Sequence, residues 1–405
     1  MLTMNRRDLL KAFAVSAAPH CVLAQQRAGR AKITQVNLLN LRLVREVGTL
    51  EPAWNKGGRM RFAVGGGSVL EIRTDQGLTG IGPGIDPGLL DSVRQQLTGR
   101  DPFDTEQHAA RLRYYAAGAS YRGGSCVDVA LWDLIGKACG QPLYKLFGGA
   151  KDRVIPYASM IVLGQPEERA RTASSLAEQG WKAIKLRLHH ESVRDDLRTV
   201  ELVRKSAGDA MTIMVDANQA QSTGNWQPGV LWDFRRALET ARQLESLGVY
   251  WLEEPLPRYE FARISELNRQ VGITLAGGEN NRGLHEFRQM CEQGVYDLLQ
   301  PEPLVTEGVT GLRKIGAMAE AYGLRVVPHH GGGDIGTIAT LHLVASWAHA
   351  PYWELLHDPP VGSYENRFAI FRNPPKIGKD GLIDVPQGPG LGVDLDDSLI
   401  LRPAA

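Results

Sequence analysis

Asp216, Glu253 and Glu279 each stand at or just past the end of a short apolar run: Met211–Val215, Val249–Leu252 and Ile273–Ala276. Runs of that length and composition read as strands. In a parallel barrel the carboxyl ends of the strands converge on one mouth. Three carboxylates gathered there offer hard oxygen donors, the ligand set of Mg²⁺. An ion so placed neutralises charge that builds on a substrate oxygen during reaction.

Such a trio needs a barrel to hold it. From residue 154 onward the chain alternates short apolar runs with helical stretches. The runs are 154–159, 183–188, 211–216, 249–253, 273–278, 296–301, 325–328 and 352–356. Eight strands with intervening helices predict a parallel barrel rather than an open sheet. Before it, Lys32–Leu43 alternates as a half-buried strand, and Ser68–Gly82 predicts a hairpin turning at Asp75-Gln76-Gly77. Residues 47–64 show no clear period and are expected to form a lid, and 88–147 read mostly as helices. Strands followed by helices describe a separate α+β domain over residues 31–150. The barrel domain is placed at 151–358. A Pro- and Gly-rich segment, 359–405, is expected to return to the first domain.

The ends and the composition set further bounds. Arg6 and Arg7 precede an apolar stretch, Ala12 to Leu23, too short to span a bilayer. That pattern predicts a twin-arginine-type signal peptide over residues 1–24 and a periplasmic protein, cytoplasmic if the signal is unused. With 405 residues, 43% hydrophobic and 22% charged, the chain has the composition of a globular protein with more than one domain. A net charge of +1 gives no nucleic-acid or membrane-surface signature. The four cysteines (Cys21, Cys126, Cys139 and Cys291) have neither zinc-site nor disulfide-framework spacing.

Five motifs stand in order: Cys126 to Ala138, Val215-Asp216-Ala217-Asn218, Trp251-Leu252-Glu253-Glu254-Pro255, Gly278-Glu279-Asn280 and Pro328-His329. By these the chain, from about residue 32 onward, resembles the enolase superfamily, in its mandelate racemase, muconate lactonizing enzyme and acid-sugar dehydratase branch. The resemblance implies an α/β fold: a modified TIM barrel, (β/α)₇β, under an N-terminal α+β capping domain. It also implies Mg²⁺ held by Asp216, Glu253 and Glu279, a small hydroxy carboxylate as substrate, and a homo-oligomer. Glu254 is expected to point away and support the ligands.

The reaction implied is removal of a proton beside a carboxylate. The resemblance makes His329 the base, and its ordinary pKa suits taking and returning a proton. His330, its neighbour, is expected to face the other way by strand alternation. The resemblance pairs the histidine with an aspartate, a position held here by Glu302, one methylene longer. In the second-strand run, Lys185 is implied to neutralise the substrate carboxylate. Relatives with a Lys-x-Lys pair use the second lysine as an opposite-face base. Here it is Arg187, which does not deprotonate and would bind a carboxylate or steady the enolate. Glu354 matches a final-strand acid that donates to the enolate when protonated, and Asn218 a position contacting a substrate hydroxyl or the metal shell.

One convincing base favours dehydration of an acid sugar, because a single histidine can remove the α-proton and then protonate the departing β-hydroxyl. The product is a 2-keto-3-deoxy acid. The alternatives are a racemase, epimerase or cycloisomerase using the same enolate, and a silent sugar-acid binding protein. Lys56, Arg59 and Arg61, beside Trp54 in the lid, suit a second carboxylate, as in an aldaric acid; a solvated loop is the alternative reading. A two-metal sugar-isomerase-like barrel would need further histidine ligands. Only His189 and His190 are available, and no matching carboxylate pair accompanies them.

Overall fold

The computed structural model describes residues 31–115 and 122–401. The twin-arginine segment therefore lies outside the described residues. Strands β1 (Ile33–Asn40), β4 (Ser68–Thr74) and β5 (Thr79–Pro83) form an antiparallel sheet in the order β1-β4-β5. β2 (Leu43–Leu50) and β3 (Met60–Gly65) pair separately as an antiparallel ribbon. The stretch expected to be an aperiodic lid thus consists of two strand segments and a connection, 51–59. A register shift between Glu46 and Gly48 falls at its start and breaks the period of two there.

The helix Gly124–Cys139 packs directly against β5. A Cβ at Gly80 or Gly82 would run into the backbone oxygens of Ala130 and Cys126, so glycine is what permits this approach. The same helix carries two buried acids. Asp133 accepts from the Ile81 and Leu391 amides, both at 2.8 Å. Asp128 accepts from Thr310 through its amide at 2.9 Å and its hydroxyl at 2.6 Å. One face of the helix is thereby tied to β5 and the C-terminal segment, the other to the helix Gly308–Ala321.

β6 (Arg153–Val154) is a short strand of its own. Eight parallel strands follow: β7 (Pro156–Ser159), β8 (Ala183–Arg187), β9 (Thr212–Asp216), β10 (Trp251–Glu253), β11 (Thr274–Gly277), β12 (Leu298–Leu299), β13 (Arg325–Val326) and β14 (Trp353–Leu356). They are hydrogen-bonded in the order β13-β12-β11-β10-β9-β8-β7-β14. One α-helix lies between each consecutive pair, so the unit is (β/α)₇β, a modified TIM barrel beneath the N-terminal elements. All eight predicted runs are strands, trimmed at their ends. β8, β9 and β10 are buried almost throughout, the pattern of parallel strands covered on both faces.

The period of two then sorts the inward-facing residues by height. Tyr157, Ala183, Met214, Trp251 and Leu298 form an apolar cluster low in the barrel. Two residues further along the same strands stand Ser159, Lys185, Asp216, Glu253 and Gln300. Strand geometry therefore stacks a polar layer on an apolar plug. After β14, β15 (Ile383–Asp384) pairs with β6, and Ile400 bridges Leu41.

Candidate active site

Parallel register aligns the polar layer. Arg187 pairs with Asp216, and Asp216 with Glu253, across neighbouring strands. Asp216, Glu253 and Glu279 are all buried, with one carboxylate oxygen of each within 4.8 Å of the others. Burial pushes Asp216 up, against Arg187, and lifts Glu253 to about 7. Three carboxylates crowded in low dielectric disfavour their common charge, and a divalent cation relieves that. The donor set fits such an ion.

Each ligand candidate is held by its own partners. Glu253 accepts from Lys185 Nζ at 2.8 and 2.9 Å, Gln300 Nε2 at 2.8 Å and Trp251 Nε1 at 3.1 Å. Asp216 accepts from the Asn218 amide at 2.7 Å and from Asn218 Nδ2 at 2.9 Å, and pairs closely with Arg187 Nη1. Glu279 accepts from Asn280 Nδ2 at 2.9 Å and Gln221 Nε2 at 3.2 Å. Glu254 is fully buried with neither carboxylate oxygen hydrogen-bonded, and burial followed by Glu279 pushes it well above the ordinary range.

The acid–base groups close the ring. His329 Nδ1 lies 2.5 Å from Glu302 Oε2, and Nε2 lies 3.2 Å from Glu279. The longer glutamate therefore does reach the imidazole. Glu302 is itself fixed by the Leu304 amide at 2.8 Å and the Gly331 amide at 3.0 Å. Burial opposes charge on His329, but Glu279, Glu354 and Glu302 outweigh it and lift the ring to about 10. Lys185 also contacts Glu354 at 3.0 Å. Burial opposes its charge too, yet Glu253, Glu354 and Asp216 hold the ammonium above its usual range.

Three expectations need correction, and a fourth is resolved between its two alternatives. Arg187 does not offer its guanidinium to a substrate: it donates to Met160 O (2.7 Å), Ser159 Oγ and Asn218 Oδ1 (both 3.2 Å) as well as Asp216. Trp54 of the 51–59 connection covers its face at 4.6 Å. Asn218 contacts a member of the carboxylate trio, the second of its two expected roles, its left-handed backbone (φ 46°) folding amide and side chain onto Asp216. Glu354 is an ion-pair acceptor here, not a neutral donor: burial would raise its pKa, but Lys185 and His329 hold it well below the carboxylate range. His330 does not face away. β13 ends at Val326, so alternation no longer applies, and the two imidazoles sit with centroids 4.0 Å apart. His189, weighed above only as a ligand of a second metal, instead brings its Nε2 to Asn218 Oδ1 at 3.0 Å.

With this geometry in hand, comparison with known proteins is informative. The model of an enolase C-terminal domain-like family matches residues 167–399, and that of the mandelate racemase / muconate lactonizing enzyme N-terminal domain matches 46–148. An arabinonate dehydratase from Saccharolobus solfataricus is 29% identical over 345 residues, 81% of this chain and 88% of the relative. A 3,6-anhydro-alpha-L-galactonate cycloisomerase from Streptomyces coelicolor is 31% identical, covering 82% of each. Among solved structures, D-glucarate dehydratase from Agrobacterium tumefaciens complexed with magnesium superposes with a TM-score of 0.78 at 28% identity, covering 92% of this chain and 99% of the other.

Proposed function

The chain belongs to the enolase superfamily, in its mandelate racemase and muconate lactonizing enzyme branch, and from that premise we propose that it is a Mg²⁺-dependent acid-sugar dehydratase. Its substrate is a hydroxy carboxylate with hydroxyls on both the α and β carbons. Its product is a 2-keto-3-deoxy acid. The reading is carried by the count of proton-transfer groups: His329 is oriented for the work, while Arg187, where a second base would stand, is committed to protein partners.

Asp216, Glu253 and Glu279 would hold the cation, which when bound neutralises charge developing on the substrate carboxylate. Glu302 accepts the Nδ1 proton of His329, and Nε2 would become the base once a bound cation offsets the carboxylate charge, that of Glu279 first, which holds the ring protonated. Nε2 takes the α-proton, and the C–H electron pair moves into the enolate. The resulting imidazolium, stabilised by Glu302, returns that proton to the β-hydroxyl. The Cβ–O bond breaks, water departs, and the enol tautomerises to the ketone. Lys185, a permanent cation walled by Glu253 and Glu354, supplies fixed positive charge beside the reacting acid and takes no part as a base.

A cycloisomerase is the second reading, favoured by the 31% relative of that activity. The deciding experiment incubates purified protein and Mg²⁺ with a panel of mono- and diacid sugars in D₂O. Keto-acid formation with loss of water supports dehydration. Deuterium at Cα with every hydroxyl retained refutes it.

A further inference from the structure

A cavity of about 360 Å³ opens between the 51–59 connection and the loops that follow β7, β8 and β9. His189 lines it, and through Asn218 that ring is two hydrogen bonds from Asp216. The cavity thus lies at the same strand ends as the carboxylate trio, with His189 and Asn218 between them. Pro52, Ala53, Val162 and Leu163 give it apolar walls.

Its charges are few and unequal. Glu51, Lys56 and Glu191 line it, two carboxylates against one ammonium. Lys56 Nζ is already 3.8 Å from Glu191 Oε1, and Glu51 receives the Gly57 amide at 3.0 Å. Burial keeps the two histidines neutral, His189 at about 4 and His190 below its ordinary value. Arg236, which holds the loop through the carbonyls of His190 and Glu191, is paired with Asp196. The basic lid residues Arg59 and Arg61 do not line this cavity; Arg61 borders a different one, with Phe62 and Asp334.

A substrate whose carboxylate sits at the trio extends its carbon chain towards this space. Hydroxyls find donors and acceptors there, whereas a second carboxylate finds net negative charge and a lysine already matched. We propose that the cavity takes the uncharged polyol tail of an aldonic acid, and that Glu51 and Glu191 exclude the far carboxylate of an aldaric acid. This rests on the reading of the site as one for acid sugars. It reverses the expectation drawn from the basic residues of the lid.

The test uses matched pairs, each C5 and C6 aldonate against its own diacid, with the full chain and Mg²⁺. Keto-acid formation, α-deuteration in D₂O and calorimetric binding are read separately. The monoacid of the favoured configuration should lead its diacid by about tenfold or more, a gap that added salt narrows because these carboxylates are exposed. The double variant Glu51→Gln with Glu191→Gln should shrink the gap, mainly by improving the diacid. A wild type that handles the diacid as well, or a double variant that leaves the ratio unmoved, overturns the proposal. If no sugar yields keto acid while binding still ranks monoacid over diacid, the dehydratase reading fails and this one stands. If neither series binds, both fall.

Discussion

Glu302→Gln isolates what the charge of the dyad contributes. Oε2 of Glu302 receives two donors, His329 Nδ1 at 2.5 Å and the Gly331 amide at 3.0 Å, whereas Oε1 receives only the Leu304 amide at 2.8 Å. A glutamine amide nitrogen in the Oε2 position would oppose two donors, and in the Oε1 position only one. The side chain should therefore keep its oxygen on His329, so the ring retains its orientation and loses only the negative charge. A hydrogen bond to a charged group contributes about 1.5–3 kcal/mol and a neutral one about 0.5–1.5, a deficit of about 1–1.5 kcal/mol. The lost attraction between carboxylate and imidazolium adds to this, up to about 4 kcal/mol at 4 Å and an effective dielectric of 20. The rate of α-proton abstraction should fall between about tenfold and ten-thousandfold. Glu302→Leu, which also frees the ring and orphans two buried amides, should fall further and lose stability. The assay is the initial rate of keto-acid formation from α-protiated and α-deuterated forms of the favoured acid sugar, whose ratio reports Cα–H cleavage, with ¹⁵N chemical shifts of His329 reporting the tautomer. A folded Glu302→Gln enzyme within twofold of wild type would show that the dyad does not serve proton transfer.

His329→Asn should abolish turnover yet leave Mg²⁺ binding measurable by calorimetry; full activity would remove the base assignment. Glu279→Gln takes one of three oxygen donors from the cation and should weaken Mg²⁺ binding by tenfold or more, so unchanged calorimetric affinity would remove it from the ligand set. Burial pushes Asp128 up to about 7, against the attraction of its Thr310 partners. Its folded pKa is thus above its unfolded value, so the stability it adds is complete below about pH 4 and is lost as pH rises through 7, on the order of a few kcal/mol. Asp128→Asn, which can donate to the Thr310 hydroxyl and accept from its amide, should gain on wild type in urea melts from pH 5 to 8, and a pH-independent difference would contradict the argument. For the export signal, fractionation of cells making the chain with and without residues 1–24 should find the longer form in the periplasm, and equal cytoplasmic retention of both would dismiss it.

The barrel was legible because parallel strands buried on both faces leave continuous apolar runs, and because a polar residue at each run's end has only the mouth to face. Asp216, Glu253 and Glu279 were readable for that reason. What escaped depended on where regular geometry stops. His330 lies beyond the last residue of β13, in a turn entering Gly331-Gly332-Gly333, so period two said nothing true about it. Arg187 was rightly placed in the layer but misread in role, since composition cannot tell whether a donor is already satisfied by Met160 O or Asp216. Residues 47–64 looked aperiodic because a register shift at the start and the 51–59 connection interrupt a real ribbon.

The amide of Leu391 that meets Asp133 belongs to a residue 258 positions later in the chain. During synthesis those 258 residues must be made before that acceptor oxygen can be filled, and until then part of an acid destined for a dry interior stays in water. The N-terminal helices and strands are therefore not a module that can be matured first or lifted out alone. A stretch 258 residues downstream acts as the clasp that lets the first one shut.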